Sequence, residues 1–240
     1  MCIDHTVLSA RQELDRIAEE YIATGCTSCW LWLSDFVEQD VQLPELKNLV
    51  EMSKKFQTAK IPLYNMHGGY LSALLSKHGM TGISHAVGYG ESKDVVPVIG
   101  VIVPTVNYYL PPLHTRVTML ELERALRELG LLNAADFYKK ICDCTVCKGV
   151  LKGDIANAHE FGDMILKSGN SRESQTPDSA KKCRFHFLLA RKKEMDNVSR
   201  STLADVKKQL QDAHAEYSNL PAYLTLRNKA GHLQVWAAGI

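Results

Sequence analysis

The chain has 240 residues, a formal charge of +1, 45% hydrophobic and 23% charged residues. That length carries one good core, or one domain with a small appendage, and the near-neutral balance excludes a global attraction to nucleic acid, so any such binding must come from a local patch. No apolar run has the length to cross a bilayer and the first residues lack the basic-then-apolar form of a secretory signal, so the seven cysteines are expected in a reducing cytoplasm, as free thiols or metal ligands.

In chain order, a short apolar start ends in Asp4-His5-Thr6. Ser9-Ala10-Arg11-Gln12 has the form of an N-cap with Gln at the third helical position, which predicts a helix to about residue 24, stopped by Gly25. Residues 29–33 are a continuous apolar run of strand length that ends at Ser34-Asp35. Cys26 and Cys29 have C-x-x-C spacing, but aromatic surroundings and the lack of a third ligand nearby favour packing. An amphipathic helix is expected over 43–56, and a strand over 60–66 that runs into His67-Gly68-Gly69. A helix over 70–78 and a strand over 82–87 follow, the strand closed by Gly88-Tyr89-Gly90-Glu91. Glycines just past a strand end either let backbone approach a ligand closely or simply make a turn.

Residues 95–103 read as one more buried strand. Pro104, Pro111 and Pro112 bracket an irregular Tyr-rich loop, and a helix with Glu and Arg spaced for surface pairs follows over 118–129, stopped by Gly130. Strand, loop and helix thus alternate at a spacing of roughly 30 residues, the mark of parallel β/α units. The loop ends carry Asp4, Asp35, His67, Glu91 and Asn107, and in a parallel β/α barrel such strand ends form the active face. A full eight-unit barrel takes roughly 250 residues, so the stretch ahead of Cys142 supplies only a partial one.

Cys142-Asp143-Cys144-Thr145-Val146-Cys147 combines C-x-C and C-x-x-C spacing. Such spacing lets three thiolates converge on one ion about 2.3 Å from each sulfur. A closed tetrahedral site needs a fourth ligand downstream, for which His159, Cys183 and His186 compete. Beyond the cysteines, residues 154–166 read as helical, 167–179 as a polar mobile loop, 181–198 as a basic helix, 201–217 as a last long helix capped by Ser201, and 224–236 as strand or irregular. The divisions expected are a β/α portion over 1–135, a metal-binding module over 136–200, and a C-terminal helix and tail over 201–240.

Four features in the same order resemble the tRNA-guanine transglycosylase family, which includes the queuine and archaeosine tRNA-ribosyltransferases and DNA-modifying relatives. These are zinc-bearing β/α barrels that exchange guanine for a 7-deazaguanine base. His67-Gly68-Gly69 resembles the family's Gln-Gly-Gly strand end, and Gly82 through Gly88, Gly90 and Glu91 its second glycine segment. Cys142, Cys144 and Cys147 match its C-x-C-x-x-C zinc motif, and His186-Phe187-Leu188 resembles the His-Asn-Leu opening of the helix that gives the fourth ligand.

The resemblance implies a partial (β/α) TIM barrel of α/β class with a C-terminal helical zinc-binding module. It implies zinc on Cys142, Cys144, Cys147 and His186, with Cys183 as the alternative fourth ligand. Base-contacting residues would be Asp4, His67, Gly68, Gly69, Gly88, Gly90, Glu91 and Asn107. The family's Asp-Ser-Gly-Gly-Phe-Gln segment does not occur here. Its nucleophilic aspartate, in a Phe-Asp-x-x-x-Pro context, aligns with Val106-Asn107-Tyr108-Tyr109-Leu110-Pro111, so Asn107 stands where the carboxylate is expected.

An active enzyme would then draw its carboxylate from Asp4, Asp35, Glu91 or a partner chain, and would stack an extruded base on Tyr89, Tyr108 or Tyr109. The alternative is a non-catalytic subunit that binds tRNA or DNA and completes a partner chain or a homo-oligomer. Its phosphate contacts would come from Lys139, Lys140, Lys148, Lys152, Lys181, Lys182, Arg184, Arg191, Lys192 and Lys193.

Overall fold

The computed structural model describes residues 1–85, 93–96, 105–166 and 173–240. The chain divides into two compact units. One comprises Met1–Ile99, Met195–Asp212 and His232–Ile240, the other Gly100–Glu194 and Ala213–Gly231.

The first unit opens with β1 (Cys2–Asp4), α1 (Arg11–Ala23), β2 (Cys29–Ser34), α2 (Leu43–Thr58), β3 (Leu63–Asn65), α3 (Tyr70–Leu74) and β4 (Met80–Ile83). The four strands form a parallel sheet in sequential order, with Cys2 opposite Trp32, Trp30 opposite Tyr64 and Tyr64 opposite Gly82. Each crossover joins neighbouring strands, and crossovers of one hand place their helices on one face. Cys29, Leu31 and Leu33 are accordingly buried against that layer. Trp30 points the other way, 49% exposed, and stacks on Tyr64 at 4.8 Å between ring centres. The 29–33 run is therefore buried on one face rather than both. Helix α2 starts in a capping box between Gln42 and Glu45 with a proline in its first turn, and buries Leu46, Leu49, Val50 and Phe56 at helical spacing.

The second unit begins with an antiparallel hairpin, β5 (Tyr108–Leu110) and β6 (Thr115–Val117). Three helices follow: α4 (Met119–Glu128), α5 (Ala134–Lys140) and α6 (Thr145–Leu151). A 3-10 turn over Ile155–Phe161 leads to a second hairpin of β7 (Met164–Leu166) and β8 (Glu173–Gln175), and to α7 (Pro177–Arg200). Of the remaining elements, α9 (Thr225–Asn228) belongs to the second unit and nearly all of α10 (Gly231–Gly239) to the first, while α7 and α8 (Leu203–Ser218) are each divided between the two.

Several expected elements are corrected. The helix after Thr6 begins at Arg11 because a 3-10 turn, His5–Ser9, comes first. Ser9 spends its hydroxyl on the Thr6 carbonyl. The Tyr-rich loop is a hairpin: the prolines make its turn, Pro111–Leu113, and the flanking tyrosines and β-branched residues make its strands. Residues 154–166 are helical only in part: a 3-10 helix covers Ile155–Phe161, and β7 follows it. Part of the expected 167–179 loop is β8 and the start of α7; residues 167–172 lie outside the described residues.

Val95 and Val96 are 52% and 65% exposed rather than buried in a strand, and residues 97–103 lie outside the described residues. Thr202, not Ser201, caps α8 through a reciprocal pair with Asp205. The tail is helical: Trp236 is buried and its indole N–H donates to the Glu38 carbonyl, while Gly239 lies so close to Leu46 that a Cβ would stand 2.4 Å from Leu46 Cδ2.

Candidate metal centre and the strand-end residues

Cys142 follows α5, Cys144 is the N-cap of α6, Cys147 sits at the third position of that helix, and His186 projects from α7. The helical turn brings Cys147 back over Cys144, whose sulfur accepts the Cys147 N–H at 3.4 Å. The donor atoms of Cys142, Cys144, Cys147 and His186 all lie within 4.8 Å of one another. Cys142, Cys147 and His186 are buried and Cys144 is half-buried.

A tetrahedral ion with bonds of about 2.3 Å to sulfur and about 2.0 Å to nitrogen separates those two atoms by about 3.5 Å. His186 Nδ1 stands 3.3 Å from Cys147 Sγ and 3.5 Å from Cys144 Sγ, so the group fits a metal ion. Three protein thiols and an imidazole leave no open position, which suits a structural ion rather than one that activates water.

His186 also settles which nitrogen is available. Its Nε2 lies 2.6 Å from the Tyr109 carbonyl oxygen; a carbonyl only accepts, so Nε2 carries a proton and Nδ1 is the nitrogen left to meet a metal. The Tyr108 ring stacks flat on the imidazole, 4.2 Å away and 9° from parallel, and the Tyr108 hydroxyl reaches Cys147 Sγ at 3.4 Å. Burial, then the neighbouring thiols, hold the Tyr108 phenol protonated well above its ordinary value, so against a Cys147 thiolate the phenol is the donor.

The thiols perturb one another strongly. Hydrogen bonds from Cys142 and Cys147 push Cys144 down into the thiolate form, and the same crowding pushes Cys147 up. Burial pushes the His186 imidazole down; hydrogen bonds with Cys142 and Cys144 outweigh it and raise it to about 9.

The alternative fourth ligands face elsewhere. Cys183 is fully buried with its thiol on the Phe161 carbonyl, and burial raises that thiol to about 12. His159 places Nδ1 against the Ala156 carbonyl at the surface.

The strand-end residues are occupied by the fold. Asp4 caps the first 3-10 turn, accepting from the Thr6 hydroxyl and N–H; those bonds hold its exposed carboxyl below the usual range. The His67 ring packs edge-on against Trp32. The Gly68 N–H donates to the Ser84 carbonyl and the Gly69 N–H to Glu38 Oε1. Glu38, 3% exposed, also accepts from the N–H groups of Leu71 and Ser72 and from the Ser72 hydroxyl. A Cβ on Gly69 would lie 2.5 Å from Glu38 Oε2, and one on Gly68 2.6 Å from Ser72 Oγ, so both glycines are there for close packing around these side chains.

Gly88, Gly90, Glu91 and Tyr89 lie outside the described residues. Asn107 borders an open cleft of about 400 Å³ with Thr105, Thr118, Phe161 and Gln175. Tyr108 and Tyr109 are each 1% exposed; they are core and metal-site residues, not free stacking surfaces. Asp4, Asp35 and His67–Gly69 belong to the first unit, Asn107 and the cysteine cluster to the second.

The basic cluster is partly neutralised within the second unit. Lys140 pairs with Glu216, Lys182 with Glu160 and Asp178, Lys193 and Lys148 with Asp143, and Arg191 is buried beside Glu194. Lys139, Lys152, Lys181 and Arg184 make no ion pair among the described residues, and Lys181 lies over the Phe185 ring.

Sequence reasoning missed Glu38 and Glu194. Each is a carboxylate whose partners come from distant segments, and neither sits in a motif. Among the described residues no helix is long and apolar enough to cross a membrane. The chain matches no protein-family model, no curated protein and no solved structure.

Proposed function

We propose that the chain is a zinc protein of transglycosylase type that acts on a nucleic acid, exchanging guanine for a 7-deazaguanine in tRNA or DNA. The observation that carries the reading is the convergence of Cys142, Cys144, Cys147 and His186, downstream of parallel β/α units in sequential order. In this reading the sheet is part of an incomplete β/α barrel. Zinc, when bound by those four residues, supplies a structural cross-link between the loop at α6 and helix α7; it takes no part in bond breaking.

Base exchange breaks the bond between the base and ribose C1′, and a carboxylate nucleophile holds the sugar between the two bases. Asn107 has an amide that cannot ionise, so the carboxylate must come from Asp4, Asp35, Glu91 or another chain. A specific observation favours a second reading, a non-catalytic subunit that binds RNA or DNA and is completed by a partner or a second copy. The Gly69 N–H, where a base would be met, is already taken by Glu38, and Trp30 on the sheet is 49% exposed.

The test is incorporation of labelled guanine into bulk tRNA and into DNA by the purified zinc-loaded chain. Exchange by the native chain supports the enzyme reading. No exchange by the native chain, with exchange gained by Asn107→Asp, overturns that reading and supports the subunit. A chain that neither exchanges nor retains tRNA or DNA in a filter-binding assay removes both.

A further inference from the structure

We infer that Glu194 is a positioning residue for the metal centre, holding the His186 imidazole in ligand geometry through Tyr109. The inference rests on the reading that the three cysteines and His186 hold a metal ion.

Glu194 follows His186 by eight residues on α7, about 12 Å along the helix axis. Tyr109 spans that interval. At one end its backbone carbonyl accepts the His186 Nε2 proton at 2.6 Å. At the other its hydroxyl donates to both oxygens of Glu194, at 2.9 and 3.0 Å. The ring between them is 1% exposed, edge-on to Phe187 at 5.1 Å and beneath the Arg191 guanidinium at 5.2 Å. Tyr109 is thus a strap along α7, pinned at both ends.

Glu194 is itself immobilised. His114 Nδ1 lies 2.7 Å from Oε1 and Arg191 3.2 Å from Oε2, and the side chain is 8% exposed. His114 is fixed in turn by closing the Pro111–Leu113 turn in the left-handed conformation, φ 49°. A carbonyl that fixes the tautomer and tilt of a ligating histidine controls how well its free nitrogen meets the ion. Loss of such an outer partner typically costs 10–100-fold in metal affinity.

The test loads the full-length chain with Co²⁺ and measures the visible ligand-field spectrum and the rate of metal transfer to a chromophoric chelator. Tyr109→Phe keeps the carbonyl and ring and removes only the hydroxyl; Glu194→Leu removes its acceptor. Both should release metal at least about tenfold faster and shift the cobalt bands. Glu194→Gln, which keeps an acceptor oxygen for the tyrosine, should retain most of the native behaviour. Leu122→Ala, in the same unit but outside the network, supplies a destabilised control with native spectrum and native release.

Native spectra and release rates in Tyr109→Phe and Glu194→Leu would overturn the inference. So would changes no larger than those of Leu122→Ala at matched loss of stability. A native chain that takes up no cobalt removes the metal reading and this inference with it, whereas uptake without any effect of the variants removes only the inference.

Discussion

Replacing Glu38 by alanine removes the acceptor around which residues 67–72 fold. Three backbone N–H groups, of Gly69, Leu71 and Ser72, and the Ser72 hydroxyl converge on that carboxylate at 2.6 to 3.0 Å. A buried donor left without a partner costs about 1–3 kcal/mol. Asn65 donates to the Ser72 oxygen and so offers the hydroxyl proton no acceptor; four orphaned donors therefore set the loss at about 4 kcal/mol or more, a large share of the ~5–15 kcal/mol that holds a domain together. Urea unfolding followed by far-UV circular dichroism measures it.

Gly69→Ala is the companion change. The new methyl would lie 2.5 Å from Glu38 Oε2, and such overpacking costs about 1–3 kcal/mol. In a Glu38→Ala background that obstacle is gone, so the methyl should cost about 1–3 kcal/mol less, a coupling of that size between the two positions. Additive costs, or a loss under about 1 kcal/mol for Glu38→Ala alone, would refute the account of this corner as a carboxylate-centred packing motif.

Three further outcomes are expected. His186→Ala should lose bound zinc and, with it, on the order of 10 kcal/mol of folding free energy, while Cys183→Ala keeps one zinc per chain; atomic absorption after gel filtration separates the two. In thiol alkylation at pH 8, Cys183, pushed up to about 12, should stay unmodified in the native state while exposed Cys2 reacts; mass spectrometry of peptides reads this out.

The third outcome concerns pH. In the metal-free chain the raised imidazole of His186 contributes stability that is full below its ordinary value of 6.5 and is lost as pH rises through about 9. The depressed thiol of Cys144 contributes stability that is full above its ordinary value of 9.0 and is lost as pH falls. From pH 6.5 through 9 and above, the folded pair and the unfolded pair hold the same number of protons, so this contribution should be flat over that range and fall only as pH drops below 6.5. Metal affinity, which requires both groups deprotonated, should instead climb steadily over the same range. Urea titrations and chelator competition across pH distinguish the two curves.

The metal centre was legible in the sequence to an unusual depth because its spacing rules are local. A C-x-C-x-x-C run brings three sulfurs together whatever the surrounding fold, and a helix start at Cys144 completes the turn. The parallel β/α order was legible for the same reason: periodicity and glycine stops repeat along the chain. The fourth ligand needed the fold. His159, Cys183 and His186 all lie within reach by sequence, and only the seating of α7 turns His186 inward while Cys183 meets Phe161.

The glycine corners show the limit most clearly. His67-Gly68-Gly69 reads equally as a ligand-binding turn or a packing turn, and what separates them is Glu38, thirty-one residues upstream of Gly69 and unmarked by any motif. The Tyr-rich segment reads as a loop because prolines flank it, whereas Pro111 and Pro112 form the turn of a hairpin whose Tyr108 stacks on His186. Sequence by itself determined which three thiols can meet on a metal and that the strands run in parallel β/α units, since both depend on neighbours along the chain. Tertiary structure alone decided which side chains are already spent on the protein, because that depends on partners the chain brings from tens of residues away.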